Sequence, residues 1–240
     1  MLKKINDDIA EKVWNIAAGC TSVSPGCINC SARYLSKIFQ EKGYEKYKNG
    51  FRPTFHKNII NAPRTSKIPA RVIVCNMGDL FHPKIKDNQI RNVFLTMYET
   101  PKMEFILTTK RIERLANLSN TLNWGNNIWI GTSVESRDYL NRVDILRNIP
   151  AAIRFIAFEP LLGDVGELNL DRINWVTVCA ERGNNARPMK IDWARSIRDQ
   201  CASANVPFFF RQKSSKKRAT GRLLDGRLHR QLPKTGEYGA

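Results

Sequence analysis

Short apolar runs rich in β-branched residues alternate with longer segments of helical periodicity along most of this chain. Such alternation predicts parallel strands that are joined by right-handed helical crossovers. The predicted strands are Trp14–Ala18, Arg71–Met77, Met103–Thr109, Ile128–Val134, Ile153–Phe158, Ile173–Ala180 and Pro207–Phe210. The predicted helices are Cys30–Tyr47, Ile85–Tyr98, Ile112–Leu122, Tyr139–Ile149 and Trp193–Ala204.

Two α/β architectures fit this alternation, an open doubly wound sheet and a partial barrel. None of the predicted strands is followed by the G-x-G-x-x-G turn of a dinucleotide-binding sheet, and we therefore favour the partial barrel. The chain has 240 residues, enough for one large domain with its own core, which we expect at 1–212. Residues 48–70 are predicted to be a basic and aromatic insertion in it, and residues 213–240 a basic tail or cap.

Polar or charged side chains follow every predicted strand. In α/β barrels the chemistry lies at the carboxyl ends of the strands, so these side chains are candidates for one common site. Each acidic residue taken alone is equally well explained as the solvated start of a loop. Four of them in a basic protein nevertheless favour a small ligand with amino or hydroxyl groups. The candidates are Asp79, Thr109, Lys110, Arg111, Ser133, Glu135, Glu159, Glu181, Arg182, Arg211 and Gln212.

Three cysteines, Cys20, Cys27 and Cys30, have the spacing C-x6-C-x2-C in the loop after the first predicted strand. Clustered thiols in a reducing compartment indicate a metal site rather than a disulfide framework. A structural zinc site closes with four protein ligands, and only three are local here. Three cysteines on a four-iron cluster leave one iron open to a small molecule. The spacing therefore favours an iron–sulfur cluster, with zinc and a non-metal role as the alternatives.

The remaining cysteines are predicted to be core residues. Cys75 and Cys179 fall inside apolar strands and Cys201 falls in the last helix, and cysteine is among the residue types most often buried. The tryptophans that fall on predicted strands, and are also expected to pack, are Trp14, Trp129 and Trp175.

The formal net charge is +17, which favours a polyanionic partner and nucleic acid in particular. Residues 33–71 contain ten Lys and Arg and only two acidic residues. Residues 211–240 contain nine Lys and Arg and two acidic residues. Solubility or an unstructured basic tail is the alternative explanation. The N-terminus lacks the apolar stretch of a signal peptide, and no run is apolar enough for a membrane span, so we expect a cytoplasmic protein.

Blocks of sequence in this chain resemble those of the phage gp-thirty-seven/gp-sixty-eight family, which is also described by its three-cysteine motif. The resemblance extends from about Trp14 to Leu232 and keeps the order of the blocks. The blocks are GCTSVSPGCINC, NMGDLFHP, LTTKR, WIGTSVES, RFIAFEPLLGDV, INWVTVCAERG, ARPM, VPFFFRQ and LLDGR.

That family is similar to the radical S-adenosylmethionine (SAM) enzymes, with spore photoproduct lyase among its relatives by fold. The resemblance implies a partial (β/α)6 TIM-like barrel and a [4Fe–4S] cluster on the three cysteines. SAM would bind the open iron, and its reductive cleavage would supply a 5′-deoxyadenosyl radical. This chain departs from the common pattern in its six-residue first gap, in Ser31 after the third cysteine, and in Cys179-Ala180-Glu181-Arg182 where the family has Gly-Gly-Glu-Ser.

The resemblance also implies roles for residues of the strand ends. The three cysteines would be the metal ligands, and no residue is assigned a catalytic role. The implied cofactor-binding residues are Asp79, Lys110, Ser133, Glu135, Glu159 and Glu181. The candidate nucleic-acid-binding residues are Lys57, Arg64, Arg187, Arg211, Lys216, Lys217 and Arg218. For Glu159 and Glu181 the alternative is an internal salt bridge to Arg154, Arg182 or Arg187.

The leading prediction is a radical SAM enzyme that repairs or modifies a base, in DNA more than in RNA, with a separately encoded protein partner possible. Base extrusion from a duplex and phosphate contacts from Lys and Arg would be required. The alternatives are a non-catalytic nucleic-acid-binding protein with a structural metal, and a radical enzyme that acts on a small molecule or a protein.

Overall fold

The computed structural model describes residues 1–213 and 220–234, which form a mixed α/β fold. Its helices are short, and none of those in the described ranges has the length and apolarity that crossing a membrane requires. The strands are β1 (Lys3–Lys4), β2 (Lys12–Trp14), β3 (Ala17–Ala18), β4 (Thr54–Phe55), β5 (Ala70–Val74), β6 (Met103–Thr109), β7 (Ile128–Ser133), β8 (Ile153–Phe158), β9 (Trp175–Cys179), β10 (Phe208–Gln212), β11 (Leu223–Leu224) and β12 (Arg227–Leu228). The α-helices are α1 (Ser31–Glu41), α2 (Asp87–Tyr98), α3 (Ile112–Leu118), α4 (Asn141–Leu146) and α5 (Ile191–Ser203).

Eight strands form one sheet in the order β1-β2-β5-β6-β7-β8-β9-β10. Only β1 pairs antiparallel, with β2, and every other neighbouring pair is parallel. The strand order therefore follows the chain order, with β3 and β4 set aside as a separate pair. A doubly wound sheet would reverse its order at a switch point, and this sheet does not.

The two faces of the sheet are covered differently. Successive strand residues point to opposite faces, and on one face they pack against α2 to α5 in the main core. On the other face strand side chains form a second core with Ile9 and Leu232, to which none of the five helices contributes a described residue. The rings of Trp129 and Trp175 meet edge to face there, with centroids 6.1 Å apart.

The N-terminal segment touches both ends of the parallel sheet. Lys4 pairs with Lys12 of β2, while Asp7 forms an ion pair with Arg211 of β10. Three residues span about 10 Å and the two side chains add a comparable reach, whereas seven strand-to-strand steps of a flat sheet, from β1 to β10, would span roughly 33 Å. The sheet must therefore curve strongly, with its second core on the concave face.

Residues 48–70, predicted as an insertion, lead from α1 back to the start of β5. Trp14 Nε1 donates to the Ile59 carbonyl at 2.9 Å, and Lys12 Nζ donates to Ser66 Oγ at 3.0 Å. Ile59 packs against the main core. The segment therefore covers the sheet beside β2, where a crossover helix would otherwise lie.

Of the segment predicted as a tail or cap, residues 220–234 pack on the sheet. Strands β11 and β12 form a hairpin, and Leu224 is fully buried in the main core. Phe210 N donates to the His229 carbonyl at 2.9 Å, and Trp175 Nε1 donates to the Gln231 carbonyl at 2.9 Å.

Element boundaries differ from the sequence prediction where a turn intervenes. The predicted first strand is two strands with different partners, β2 and β3. The predicted helix from Cys30 to Tyr47 ends at Glu41, because Gly43 has a φ of +72° and such a left-handed residue ends helices. Burial confirms the packing role predicted for the strand tryptophans and for Cys201.

Candidate cofactor and ligand site

A cavity of about 460 Å³ opens at the carboxyl ends of the parallel strands. This volume lies within the range of sites for small molecules and cofactors. Predicted site residues from separate strand ends therefore share one cavity, and only Glu135 of the predicted cofactor set lies behind its wall. The predicted residues in the lining are Cys20, Cys27, Cys30, Asp79, Thr109, Lys110, Arg111, Ser133, Glu159, Glu181, Arg182 and Arg211.

The cysteine loop is held by close backbone contacts at its base. Gly19 has a φ of +83°, and a side chain there would stand 2.3 Å from the Arg52 carbonyl oxygen. Gly19 N donates to the Met77 carbonyl at 2.8 Å. The loop then makes one 3-10 turn at Pro25–Cys27, and α1 begins directly after Cys30. The three thiols consequently line one cavity although they differ in their surroundings.

Cys20 lies beside a buried ion pair. Arg111 Nη1 is 3.0 Å from Asp79 Oδ2 and donates to Cys20 Sγ at 3.1 Å. Asp79 also accepts from Thr109 Oγ1 at 2.9 Å and from Phe81 N at 2.9 Å. Burial, followed by the charge of Asp79, raises the pKa of the Cys20 thiol. Asp79 is thus engaged by protein donors.

Cys27 lies beside a second charged cluster, around Glu135. Glu135 accepts from Ser24 Oγ at 2.5 Å and from Lys110 Nζ, and its other oxygen is 3.0 Å from Arg142 Nη1. Burial raises the pKa of the Cys27 thiol, but the Lys110 charge and hydrogen bonds from the loop outweigh burial, so the net pKa is lowered. The site therefore favours the thiolate of Cys27, the form that binds metals.

Glu181, at the end of β9, ties the cysteine loop to the sheet. Asn29 Nδ2 and Arg187 Nε each donate to Glu181 Oε2 at 2.9 Å, and Arg187 Nη2 donates to the Pro25 carbonyl at 2.9 Å. Burial raises the pKa of Glu181, but the hydrogen bonds from Arg187 and Asn29 lower it to about 2. The alternative explanation of Glu181 as an internal salt bridge is therefore confirmed, with Arg187 as the partner.

Glu159 and Arg211 form the cavity wall on the side of β8 to β10. Glu159 accepts from Thr177 Oγ1 at 2.6 Å, and its other oxygen is 3.7 Å from Arg211 Nε. Arg211 is held more closely by Asp7, at 2.5 Å. Arg211, predicted to bind nucleic acid, is thus mostly buried and paired, whereas Glu159 keeps contact with the cavity.

The donor set of this site, three cysteine thiols that line one cavity, is of the type that iron–sulfur clusters use. Among the residues described, no three His, Cys, Asp or Glu side chains converge as the ligands of one ion would. A cluster spreads its thiolates over several irons, so its ligands need not meet at one point. Lys110 and Arg111 supply the positive charge and N–H donors that stabilise thiolates and tune clusters.

The residues predicted to bind nucleic acid are dispersed. Arg64 forms an ion pair with Glu99, which lies between α2 and β6 and hence toward the amino ends of the strands, away from the cavity. Lys57 is exposed on a 3-10 turn, and Arg187 pairs with Glu181. The three basic residues Lys216, Lys217 and Arg218 lie outside the described residues.

Several residues of the site were missed by sequence reasoning. Asn29 lies between two of the clustered cysteines, and this position could have singled it out. Ser24 is also in the loop, but only its contact with Glu135 reveals a role. Asp7 precedes the first predicted strand and Arg142 lies within a predicted helix, so no local pattern indicated them.

Comparisons with known proteins give one family match. A family model described as "Protein of unknown function (DUF5131)" matches residues 5–233. No curated protein matches this chain. A solved structure, "Spore photoproduct lyase complexed with dinucleoside spore photoproduct", is similar with a TM-score of 0.48 and 12% sequence identity. The similarity covers 80% of this chain and 61% of that chain, so this chain spans about three-fifths of its length. None of these matches names the phage family, and that resemblance stays a prediction.

Proposed function

The chain belongs to the family described as proteins of unknown function, DUF5131, and we propose that it is a radical SAM enzyme that acts on nucleic acid. In this proposal Cys20, Cys27 and Cys30 hold a [4Fe–4S] cluster, and SAM binds in the adjoining cavity. One observation carries the proposal: the three thiols line the same cavity as the charged ends of consecutive parallel strands.

The proposal includes a partial barrel of the (β/α)6 type. Its support is the strand order, which follows the chain order, together with the strong curvature that the Asp7–Arg211 ion pair requires. In the described ranges, helix residues pack on the outer face of the sheet and none joins the second core, as in a barrel. The concave face is filled by aromatic rings below the cavity.

The cluster, once reduced by an external donor, would supply the electron that cleaves SAM to methionine and a 5′-deoxyadenosyl radical. The chain's own residues prepare the site for that chemistry. Lys110 favours the thiolate of Cys27, and Arg111 donates a hydrogen bond to Cys20. Asn29 and Arg187 fasten the loop to the end of β9 through Glu181.

Lys110 is paired with Glu135, and the other predicted SAM contacts divide into two groups in this proposal. Asp79, Glu135 and Glu181 are occupied by arginine, lysine and hydroxyl donors and serve as positioning residues. Ser133 and Glu159 line the cavity with groups that remain able to meet a ligand. We therefore assign direct contacts with the amino or ribose groups of SAM to these two.

The nucleic-acid surface is proposed at α1 and the cysteine loop, beside the cavity. Ile28 and Tyr34 are exposed by 67% and 63%, and Leu35 lines the cavity. Exposed Arg33 and Lys37 lie on the same helix. Aromatic and apolar surface next to Lys and Arg suits an unstacked base and its phosphates. The proposed substrate is accordingly a base in a single strand or extruded from a duplex.

The experiment is anaerobic reconstitution with iron and sulfide, followed by reduction and addition of SAM. We expect an electron paramagnetic resonance signal that SAM perturbs, with release of 5′-deoxyadenosine that DNA or RNA accelerates. Stoichiometric zinc without SAM cleavage would contradict the proposal and favour a binding protein with a structural metal. Turnover that is insensitive to any nucleic acid would restrict the proposal to radical chemistry on another substrate.

A further inference from the structure

Arg182 follows β9 at the rim of the cavity, and it lacks the carboxylate partner that the neighbouring cations have. Lys110, Arg111 and Arg211 also line the cavity, and each forms an ion pair. Within residues 1–213 and 220–234, no carboxylate forms an ion pair with Arg182, and the charge of Glu159 acts on it only over a longer distance. One positive charge of the cavity wall is therefore available to a ligand.

The guanidinium of Arg182 lies against the end of β9 at the cavity, although the residue as a whole is exposed. Its Nη2 is 3.6 Å from the Sγ of Cys179, a residue that is only 2% exposed. Burial raises the pKa of the Cys179 thiol, so the thiol is uncharged at neutral pH and does not neutralise the arginine. Gly183 follows with a φ of +109°, a left-handed backbone conformation that glycine adopts readily.

We propose that Arg182 binds an oxyanion of the ligand in this cavity through the paired N–H donors of its guanidinium. A planar guanidinium matches a carboxylate or a phosphate with two parallel hydrogen bonds. The inference rests on the proposed function, which offers two sources of this chemistry. They are the carboxylate of the methionine part of SAM and a phosphodiester of the nucleic acid.

This role can be tested with pairs of probes whose two members differ only in the oxyanion. One pair is S-adenosylhomocysteine and its carboxamide, and the other is the dinucleotide thymidylyl-thymidine and its uncharged methylphosphonate. Calorimetry measures binding of each probe to the oxidised, cluster-loaded protein, as the wild type and as the variants Arg182→Gln and Arg182→Lys. The control is Arg227→Gln, which makes the same change of charge at an exposed residue. Thermal unfolding of each variant checks that the fold is retained.

We expect Arg182→Gln to lower the affinity for one anionic probe by roughly 10- to 100-fold and to leave the affinity for its uncharged counterpart unchanged. Arg182→Lys should recover part of the affinity, and Arg227→Gln should match the wild type. A loss confined to the carboxylate probe assigns SAM as the source, and a loss confined to the phosphodiester assigns the nucleic acid. Equal affinities of wild type and Arg182→Gln overturn the inference while leaving the proposed function intact. If the wild type binds neither S-adenosylhomocysteine nor the dinucleotide, both the inference and the proposed function are overturned.

Discussion

Asn29 Nδ2 donates a hydrogen bond to Glu181 Oε2 at 2.9 Å, although 152 residues separate the two in sequence. Asn29 lies between Cys27 and Cys30, whereas Glu181 follows β9. Glu181 is 4% exposed and also accepts from Arg187. The contact therefore couples the position of two thiols to the end of a strand on the far side of the sheet.

Replacement of any of Cys20, Cys27 or Cys30 by Ala should abolish cluster assembly, because the cluster would lose one of its three proposed thiolate ligands. Iron and sulfide content and the visible absorbance of the reconstituted protein measure this. Cys201→Ala, at a buried position of α5, should retain the iron content of the wild type. A Cys27→Ala variant with full iron content would contradict the ligand assignment.

Cys27 should be alkylated at a lower pH than Cys20 in the cluster-free protein. The pKa of Cys27 is lowered by Lys110 in spite of burial, and the pKa of Cys20 is raised by burial and Asp79. Mass spectrometry after timed iodoacetamide treatment across a pH series gives both rates. Lys110→Met should shift the Cys27 profile to higher pH, because the thiolate loses its nearest cation, whereas exposed Lys84→Gln should not. Coincident profiles for the two thiols would refute this electrostatic account.

Glu181 should stabilise the fold in a pH-dependent way. Its pKa in the fold is about 2, below the 4.5 of a free glutamate. A depressed pKa means that the stabilisation is complete above about pH 4.5 and is lost as the pH falls toward 2. Glu181→Gln should therefore lower the free energy of unfolding by roughly 2–3 kcal/mol at pH 7 and by less at pH 3. Urea unfolding at both pH values tests this against Glu167→Gln, an exposed control; a pH-independent difference would argue against it.

Glu135→Gln should destabilise the protein strongly. The change leaves Arg142, whose side chain is 6% exposed, as a buried charge without its carboxylate. Breaking a buried ion pair in this way costs roughly 3–5 kcal/mol. The matched control is Asp144→Asn, which breaks the ion pair of the exposed Asp144 with Arg147. Arg147 keeps its hydrogen bonds to the Asn169 and Asp171 carbonyls, so the change should cost under about 1 kcal/mol. Similar unfolding free energies for both variants in denaturant would show that the Glu135 cluster is not a structural unit.

Binding of single-stranded oligonucleotides should depend on α1 and not on the amino ends of the strands. Tyr34→Ala should weaken affinity by roughly 10-fold, the scale of one lost base stack, and Lys37→Gln should reduce the salt dependence of binding by about one unit. Arg64→Gln, which removes the partner of Glu99, should change neither. Fluorescence anisotropy over a salt series measures both quantities. If Arg64→Gln weakened binding as much as Tyr34→Ala, the assignment of the nucleic-acid surface to α1 would be wrong.

Some elements could be predicted to the residue. The strands Met103–Thr109 and Ile153–Phe158 match β6 and β8, because a buried parallel strand is a continuous apolar run with polar residues at both ends. The helix before residue 48 could not be bounded in this way. Its end depends on Gly43 in a left-handed conformation and on the packing of the next turn, and the hydrophobic pattern continues past it.

The sequence by itself determined the parallel α/β organisation, the place of the cysteine loop and the set of polar residues at the strand ends. These follow from local periodicity and spacing, which any stretch of chain carries alone. Only the tertiary structure decided which charges neutralise one another. Asp79, Glu135 and Glu181 are occupied by Arg111, Lys110 and Arg187, while Arg182 is not paired within the described residues. Ion pairing depends on distances of a few ångströms between distant segments, and a linear sequence does not contain those distances.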